Sequence, residues 1–314
     1  MNPKYLPMNC AALMDRVFDV YKATFKTQIA FSLVVGIISF VFMFLFIIIF
    51  GIGVAAVVGM TGYMDEQYLY MMVGIMLIGF LPLYICWMYL SESGHILITK
   101  QAFYEELIEF PIKEAVGAFF RVVTAVAAQL ILSLPFAAFI FFIIFSFTAG
   151  YHNFIQIILY THPVLLILGS LFFAVFYVIY SNFFSLAVPA AILEKRFFFA
   201  AIARSVTLLK GDFWRILGLR LLWRFLVFLF TISAQGFVMM LVTLFTAMAG
   251  NVVDFGALMV ASGPLQSYAT LFVFIIISPM EGIMTALIYF NQKIKKDGLD
   301  IEIGVSQLIR GAIR

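Results

Sequence analysis

The fold class that the sequence predicts is an all-α polytopic membrane protein: six transmembrane helices with amphipathic helices at the cytoplasmic interface. Three observations predict it. The 314-residue chain is 65% hydrophobic and only 11% charged, against about a half and about a quarter in soluble domains. Its mean hydropathy is +1.11, and several apolar runs reach the roughly 20 residues needed to cross a bilayer core. Those runs are continuous rather than alternating. That selects helices over a closed barrel, the other structure that satisfies its own backbone hydrogen bonds in lipid.

The spans fall at about 29–59, 68–91, 122–148, 155–190, 215–249 and 266–291. Several are longer than one crossing needs and are expected to tilt, kink or project from the bilayer. Pro82, Pro135, Pro189 and Pro279 lie inside or near the ends of four of them, and each removes an amide donor. The first long apolar run begins near Ala30, behind a charged amphipathic segment, so a cleavable signal peptide is not expected. Cys10 and Cys86 are far apart in the sequence and read as two small apolar side chains rather than a disulfide or metal site.

Charge sets the orientation. All 19 Lys and Arg lie in alternate connections or at the adjoining span ends. Lys4, Arg16, Lys22 and Lys26 precede span one, and Lys100, Lys113 and Arg121 follow span two. Lys195, Arg196, Arg204, Lys210, Arg215, Arg220 and Arg224 follow span four or open span five; Lys293, Lys295, Lys296, Arg310 and Arg314 close the chain. The connections at 61–67, 150–163 and 251–265 hold no Lys or Arg. The positive-inside rule then puts both termini in the cytoplasm, as an even number of spans requires.

Two stretches share a pattern. "RVFDVYKATFKT" from Arg16 and "RSVTLLKGDFWR" from Arg204 each read Arg, five residues, Lys, two residues, Phe. On helices, Cys10, Met14, Phe18, Tyr21 and Phe25 form one apolar stripe; Phe198, Ile202, Val206, Leu209 and Phe213 form the same stripe 188 residues later. Such helices suit the headgroup boundary, with Arg16, Lys22, Lys26, Arg204, Lys210, Trp214 and Arg215 as candidate lipid contacts. A weaker third copy, "FPIKEAVGAFFR" from Phe110, follows span two. The expectation is one integral membrane domain over 1–314. It would be built from repeats at 1–100, 101–192 and 193–292, each a surface helix plus a hairpin, with a cytoplasmic tail at 293–314. An ordinary amphipathic connector beside a membrane has the same look.

The segment "AVPAAILEKRFFFAAIARSVTLLKGDFWRILGL" carries a family resemblance. Pro189, Glu194, Arg204-Ser205, Leu209-Lys210-Gly211 and Trp214-Arg215 resemble the membrane domain attached to some bacterial glycerophosphodiester phosphodiesterases, and its free-standing relatives. "LPMNCAALMDRVFDVYKATF" is similar to the start of that family, and "ALIYFNQKIKKDGLDIEI" to its close. The resemblance implies a bacterial cytoplasmic membrane and this architecture without phosphodiesterase activity. The hydrolytic members carry a separate soluble catalytic domain, for which the residues after the last span leave no room. None of His95, His152 and His162 is followed by the Arg that marks the catalytic His.

Few residues offer chemistry. Glu281 follows Pro279 in the last span, where an ionisable group is costly and faces a partner or water. Arg220 and Arg224 are one turn apart on span five, and Glu92 and His95 are three apart near the end of span two. These five are candidates for an intramembrane polar or ion-pair site; the competing reading is a pair that locks helices, with the arginines snorkelling. Asn182 and Gln235 read as hydrogen-bond glue between helices. The chain holds no Walker motif, HExxH or GxSxG, so no enzyme activity, cofactor or metal is expected. Its basic residues track the membrane face, which excludes nucleic acid as a partner. What remains is a non-enzymatic envelope protein whose partners are membrane lipids and a further protein or a second copy. The alternative is a transporter or exporter of a small or amphiphilic substrate with its site near Glu281.

Overall fold

A computed structural model of the chain describes residues 7–61, 88–104, 107–148, 163–248, 255–299 and 301. Among these residues all regular structure is helical. The helices are α1 (Cys10–Thr61), α2 (88–103), α3 (Ile112–Thr148), α4 (Pro163–Asn182), α5 (Ala187–Leu193), α6 (Phe198–Leu209), α7 (Phe213–Met248) and α8 (Phe255–Asp297). Among the described residues, four stretches are long and apolar enough to cross a membrane: Cys10–Gly53, Ile112–Phe136, Leu168–Leu193 and Phe213–Leu244. The chain therefore has the helices of a membrane protein. These stretches match expected spans one, three, four and five, and the sixth lies within α8. Span two lies outside the described residues except for 88–91, which begin α2.

Two compact units make up the fold, each gathered from distant parts of the chain. The first comprises Met1–Cys10, Phe120–Arg220 and Ile288–Arg314; the second comprises Ala11–Phe119 and Leu221–Leu287.

In the second unit, α1 buries Leu13, Val17, Val20, Thr24, Gln28, Phe31 and Val35, one face at three- and four-residue spacing. Residues His95, Ile96, Ile98 and Thr99 of α2 are also buried, as are Met280, Ile283, Met284 and Leu287 of α8. Two glycines set how closely these helices approach. A Cβ on Gly94 would lie 2.0 Å from Cε1 of Phe31, and one on Gly282 would lie 2.5 Å from Cβ of His95. Small residues at such crossings let backbones pack without a spacer.

The first unit has a core of small side chains, Ala125, Ala128, Ala187, Ala191 and Ala201, with Ile202. Expected span four is interrupted here: α4 stops at Asn182, a turn covers 183–186, and α5 begins at Ala187. Pro189 sits in the first turn of α5, where its missing amide leaves no bond unmade. The freed carbonyls of the turn find partners on three helices. Ser205 Oγ donates to Phe183 O at 2.7 Å, Gln129 Nε2 to Phe184 O at 3.0 Å, and Arg220 Nη2 to Ser185 O at 3.2 Å. Ser205 Oγ also accepts the Leu186 amide at 3.0 Å. A backbone break within an apolar stretch is tolerated because it is satisfied in this way. Asn182 does not act as the expected glue: it is buried, and neither of its side-chain polar atoms has a partner among the described residues.

The expected surface helices differ from what is found. The segment from Arg16 is part of α1, which runs unbroken for 52 residues, and "FPIKEAVGAFFR" runs straight into α3. No proline and no glycine interrupts α1 before Gly36, so nothing ends the helix at the expected junction. Of the three expected surface helices, α6 alone is a separate short helix. It stops because Gly211 adopts φ +96 in the turn before α7, a conformation that glycine takes without steric cost.

Candidate functional site

The charged stretch from Glu194 to Arg215 is held by the end of α8, within the first unit. Glu194 caps the C-terminal end of α5. Arg204, on α6, donates from Nε to both Glu194 oxygens at 2.9 and 3.0 Å, and from Nη2 to Asp297. Arg196 Nε adds a bond to Glu194 Oε2 at 2.7 Å, and the Tyr289 hydroxyl donates to Oε1 at 2.6 Å. Asp212, in the turn after α6, accepts from Lys295 Nζ at 2.6 Å and Gln292 Nε2 at 3.1 Å. Lys296 Nζ donates to Thr207 O at 3.0 Å and to Lys210 O. A cation on the last carbonyls of a helix is favourable for hydrogen bonding and for the helix dipole. The chain's start joins the same unit: Met8 N donates to Asn291 Oδ1 at 2.8 Å, and Arg215 Nε donates to Cys10 Sγ at 3.2 Å.

Both acids are tuned by these partners. Burial alone would raise the Glu194 carboxyl, but hydrogen bonds from Tyr289, Arg204 and Arg196 outweigh it and hold its pKa below the ordinary value. Asp212 is lowered chiefly by its bond from Lys295, against a smaller opposing effect of burial. Each stays ionised and occupied by a cation, and so acts as a strut between elements rather than as a proton donor.

The second unit holds a different polar group. His95, fully buried, is 2.5 Å from Gln28 Oε1 through Nδ1 and 3.2 Å from both Ser32 Oγ and Ser91 Oγ through Nε2. Phe31 packs edge-on against its ring with centroids 5.7 Å apart. The geometry fits a neutral ring that donates from Nδ1 to the Gln28 oxygen and accepts serine hydroxyls at Nε2.

The sequence-predicted residues distribute as follows. Arg204 is turned inward, with 15% of its side chain exposed. Arg16 is half-buried; Lys22, Lys26, Lys210 and Arg215 are exposed, and Trp214 is 71% exposed. Arg220 reaches the 183–186 turn while Arg224 is exposed, so these two arginines serve different surroundings. His95 is held by Gln28, Ser32 and Ser91, and Glu92 is half-buried. Glu281 is exposed. Sequence reasoning missed Tyr289, Asp212, Lys295 and Asp297. A signal was present in the spacing of Tyr289, Gln292 and Lys296, which lie at i, i+3 and i+7 on one helix face. Among the described residues no group of three or more His, Cys, Asp or Glu is placed to hold a metal ion.

No family model matches this chain, and neither a curated protein nor a solved structure matches it.

Proposed function

We propose that this is a non-enzymatic multi-pass protein of the bacterial cytoplasmic membrane, lipid-interacting or the membrane subunit of a larger assembly, with six spans and both termini in the cytoplasm. It has the architecture implied by its resemblance to the membrane domains of glycerophosphodiester phosphodiesterases. The observation that carries this reading is the closed charge network of the first unit. Glu194, Asp212 and Asp297 are each bonded to Arg204, Arg196 or Lys295. Groups already bonded to one another hold helices together and are not free to work on a substrate. The aromatic and basic residues left exposed at a span end, Trp214 and Arg215, are those that favour a headgroup layer.

Native mass spectrometry of the full chain, extracted gently from its own membranes, tests this. The expected result is anionic lipid or a protein subunit retained at fixed stoichiometry, with lipid retention weakened several-fold by Lys210→Gln with Arg215→Gln. A bare chain that retains neither would overturn the reading. One observation favours the exporter alternative. Gly282, the residue after Glu281, packs against His95, so the helix that carries Glu281 passes a buried polar group. On that reading Glu281→Gln abolishes an otherwise measurable flux or resistance phenotype.

A further inference from the structure

Helix α6 carries a single charged side chain, Arg204. Ala201, Ile202, Ser205, Leu208 and Leu209 face inward and are buried. Its outer positions, Phe198, Phe199, Ala203, Val206 and Thr207, are exposed. Arg204, the one charged residue within it, is drawn into its ion pairs with Glu194 and Asp297. Phe197, Phe198 and Phe199 are 55%, 36% and 46% exposed. Phe199, Ala203 and Val206 then follow at i, i+4 and i+7 as one outward stripe. A helix facing water carries its charges on that face. Here they stand at the two ends: Lys195 and Arg196 before the helix, Lys210 after it, all exposed.

The backbone holds the phenylalanines out against its own preference. Lys195 has φ 55 and Phe198 has φ 47. Bulky residues avoid this left-handed region unless their surroundings over-determine it, and such positions cluster where a segment has a task. The helix is also placed in depth. Ser205 ties it to the 183–186 turn, inside the apolar stretch Leu168–Leu193, and exposed Trp214 follows at the head of the stretch Phe213–Leu244. α6 therefore lies where two candidate spans end, at the headgroup boundary of the membrane they cross.

We infer that the outer face of α6 is seated in the anionic leaflet of that membrane, with Phe197–Phe199 among the acyl chains and Lys195, Arg196 and Lys210 among the phosphates. The inference deepens the lipid-interacting reading and rests on it. Charge selects the occupant. An uncharged stripe bracketed by cations matches an apolar layer beneath an anionic one, whereas a second copy of this face would set cation against cation. The face also differs from the one periodicity suggested: Ile202 and Leu209 of the expected stripe are buried in protein, and Phe199 and Ala203 take their place.

The test uses the full chain, with both cysteines replaced by alanine, in phosphatidylcholine vesicles with and without phosphatidylglycerol. Spin labels at Phe199→Cys and Val206→Cys are compared with one at Lys195→Cys for collision with oxygen and with a water-soluble nickel complex. The expected oxygen-to-nickel ratio at 199 and 206 is several-fold above that at 195. It should rise further with phosphatidylglycerol, and that rise should disappear in Lys195→Gln with Lys210→Gln labelled at 199. Labels at 199 and 206 open to nickel, or shielded from both reagents by protein, overturn the seating; a ratio indifferent to phosphatidylglycerol overturns the choice of an anionic leaflet. Seating without lipid retained in the mass spectrum leaves this inference standing and removes the broader reading's support. Retention without seating does the reverse.

Discussion

Glu194 is one carboxylate with four hydrogen bonds from three side chains, and its side chain is only 11% exposed. Glu194→Gln keeps the shape but removes the charge that Arg196 and Arg204 share. A loss of roughly 1.5–3 kcal/mol is expected, the range for hydrogen bonds to charged groups. Asp297 still neutralises Arg204, which keeps the loss below that of stripping a buried ion of every partner. Thermal unfolding in detergent reads it as a lowered midpoint. Glu194 gives a pH dependence with a definite sign. Its folded pKa is depressed below the ordinary 4.5, so its contribution to stability is full above about 4.5 and is lost as the pH falls below that. Midpoints measured downward from pH 6 should decline more steeply below about 4.5 in the parent than in Glu194→Gln; equal slopes would refute the assignment.

At the scale of elements, the break between α4 and α5 depends on Ser205, which bonds the Leu186 amide and the Phe183 carbonyl from one buried hydroxyl. Ser205→Ala leaves two backbone groups unsatisfied, and a cost of about 1–3 kcal/mol follows. Limited proteolysis of the 183–213 region should accelerate before the protein unfolds as a whole. The helical class of these elements was legible from continuous apolar runs, whereas the end of α6 before Gly211 was not, since the expected stripe ran on to Phe213, which begins α7. The division of span four at Asn182 was not, because hydropathy averages over a turn whose bonds come from distant residues such as Gln129 and Arg220. The charged clasp was half legible. Glu194 and Arg204 stand together in the segment that carries the family resemblance. Their partners Tyr289 and Asp297 are about ninety residues away, and no local periodicity links them.

For the whole molecule, the alternation of all 19 Lys and Arg between connections is the strongest global statement in the sequence. Under the positive-inside rule it predicts a cytoplasmic C-terminus. A phosphatase that folds only outside the cytoplasm, fused after Arg314, should be inactive, and a fluorescent protein fused there should glow. An active phosphatase would break the even span count. A separate surface helix at Arg16 was expected because amphipathic spacing at a membrane does not reveal whether a segment lies along the surface or continues into a span. For α1, the missing helix breakers decide it.

That continuity has a consequence in torsion. A helix of 52 residues is about 78 Å long and carries a single angular phase from end to end. Adding one residue between Val20 and Thr24 would turn everything before it by about 100° relative to everything after. Leu13 and Val17 would then leave the line of Gln28, Phe31 and Val35, though no existing side chain had changed. A substitution in α1 is a local injury; an insertion there misaligns the whole shaft.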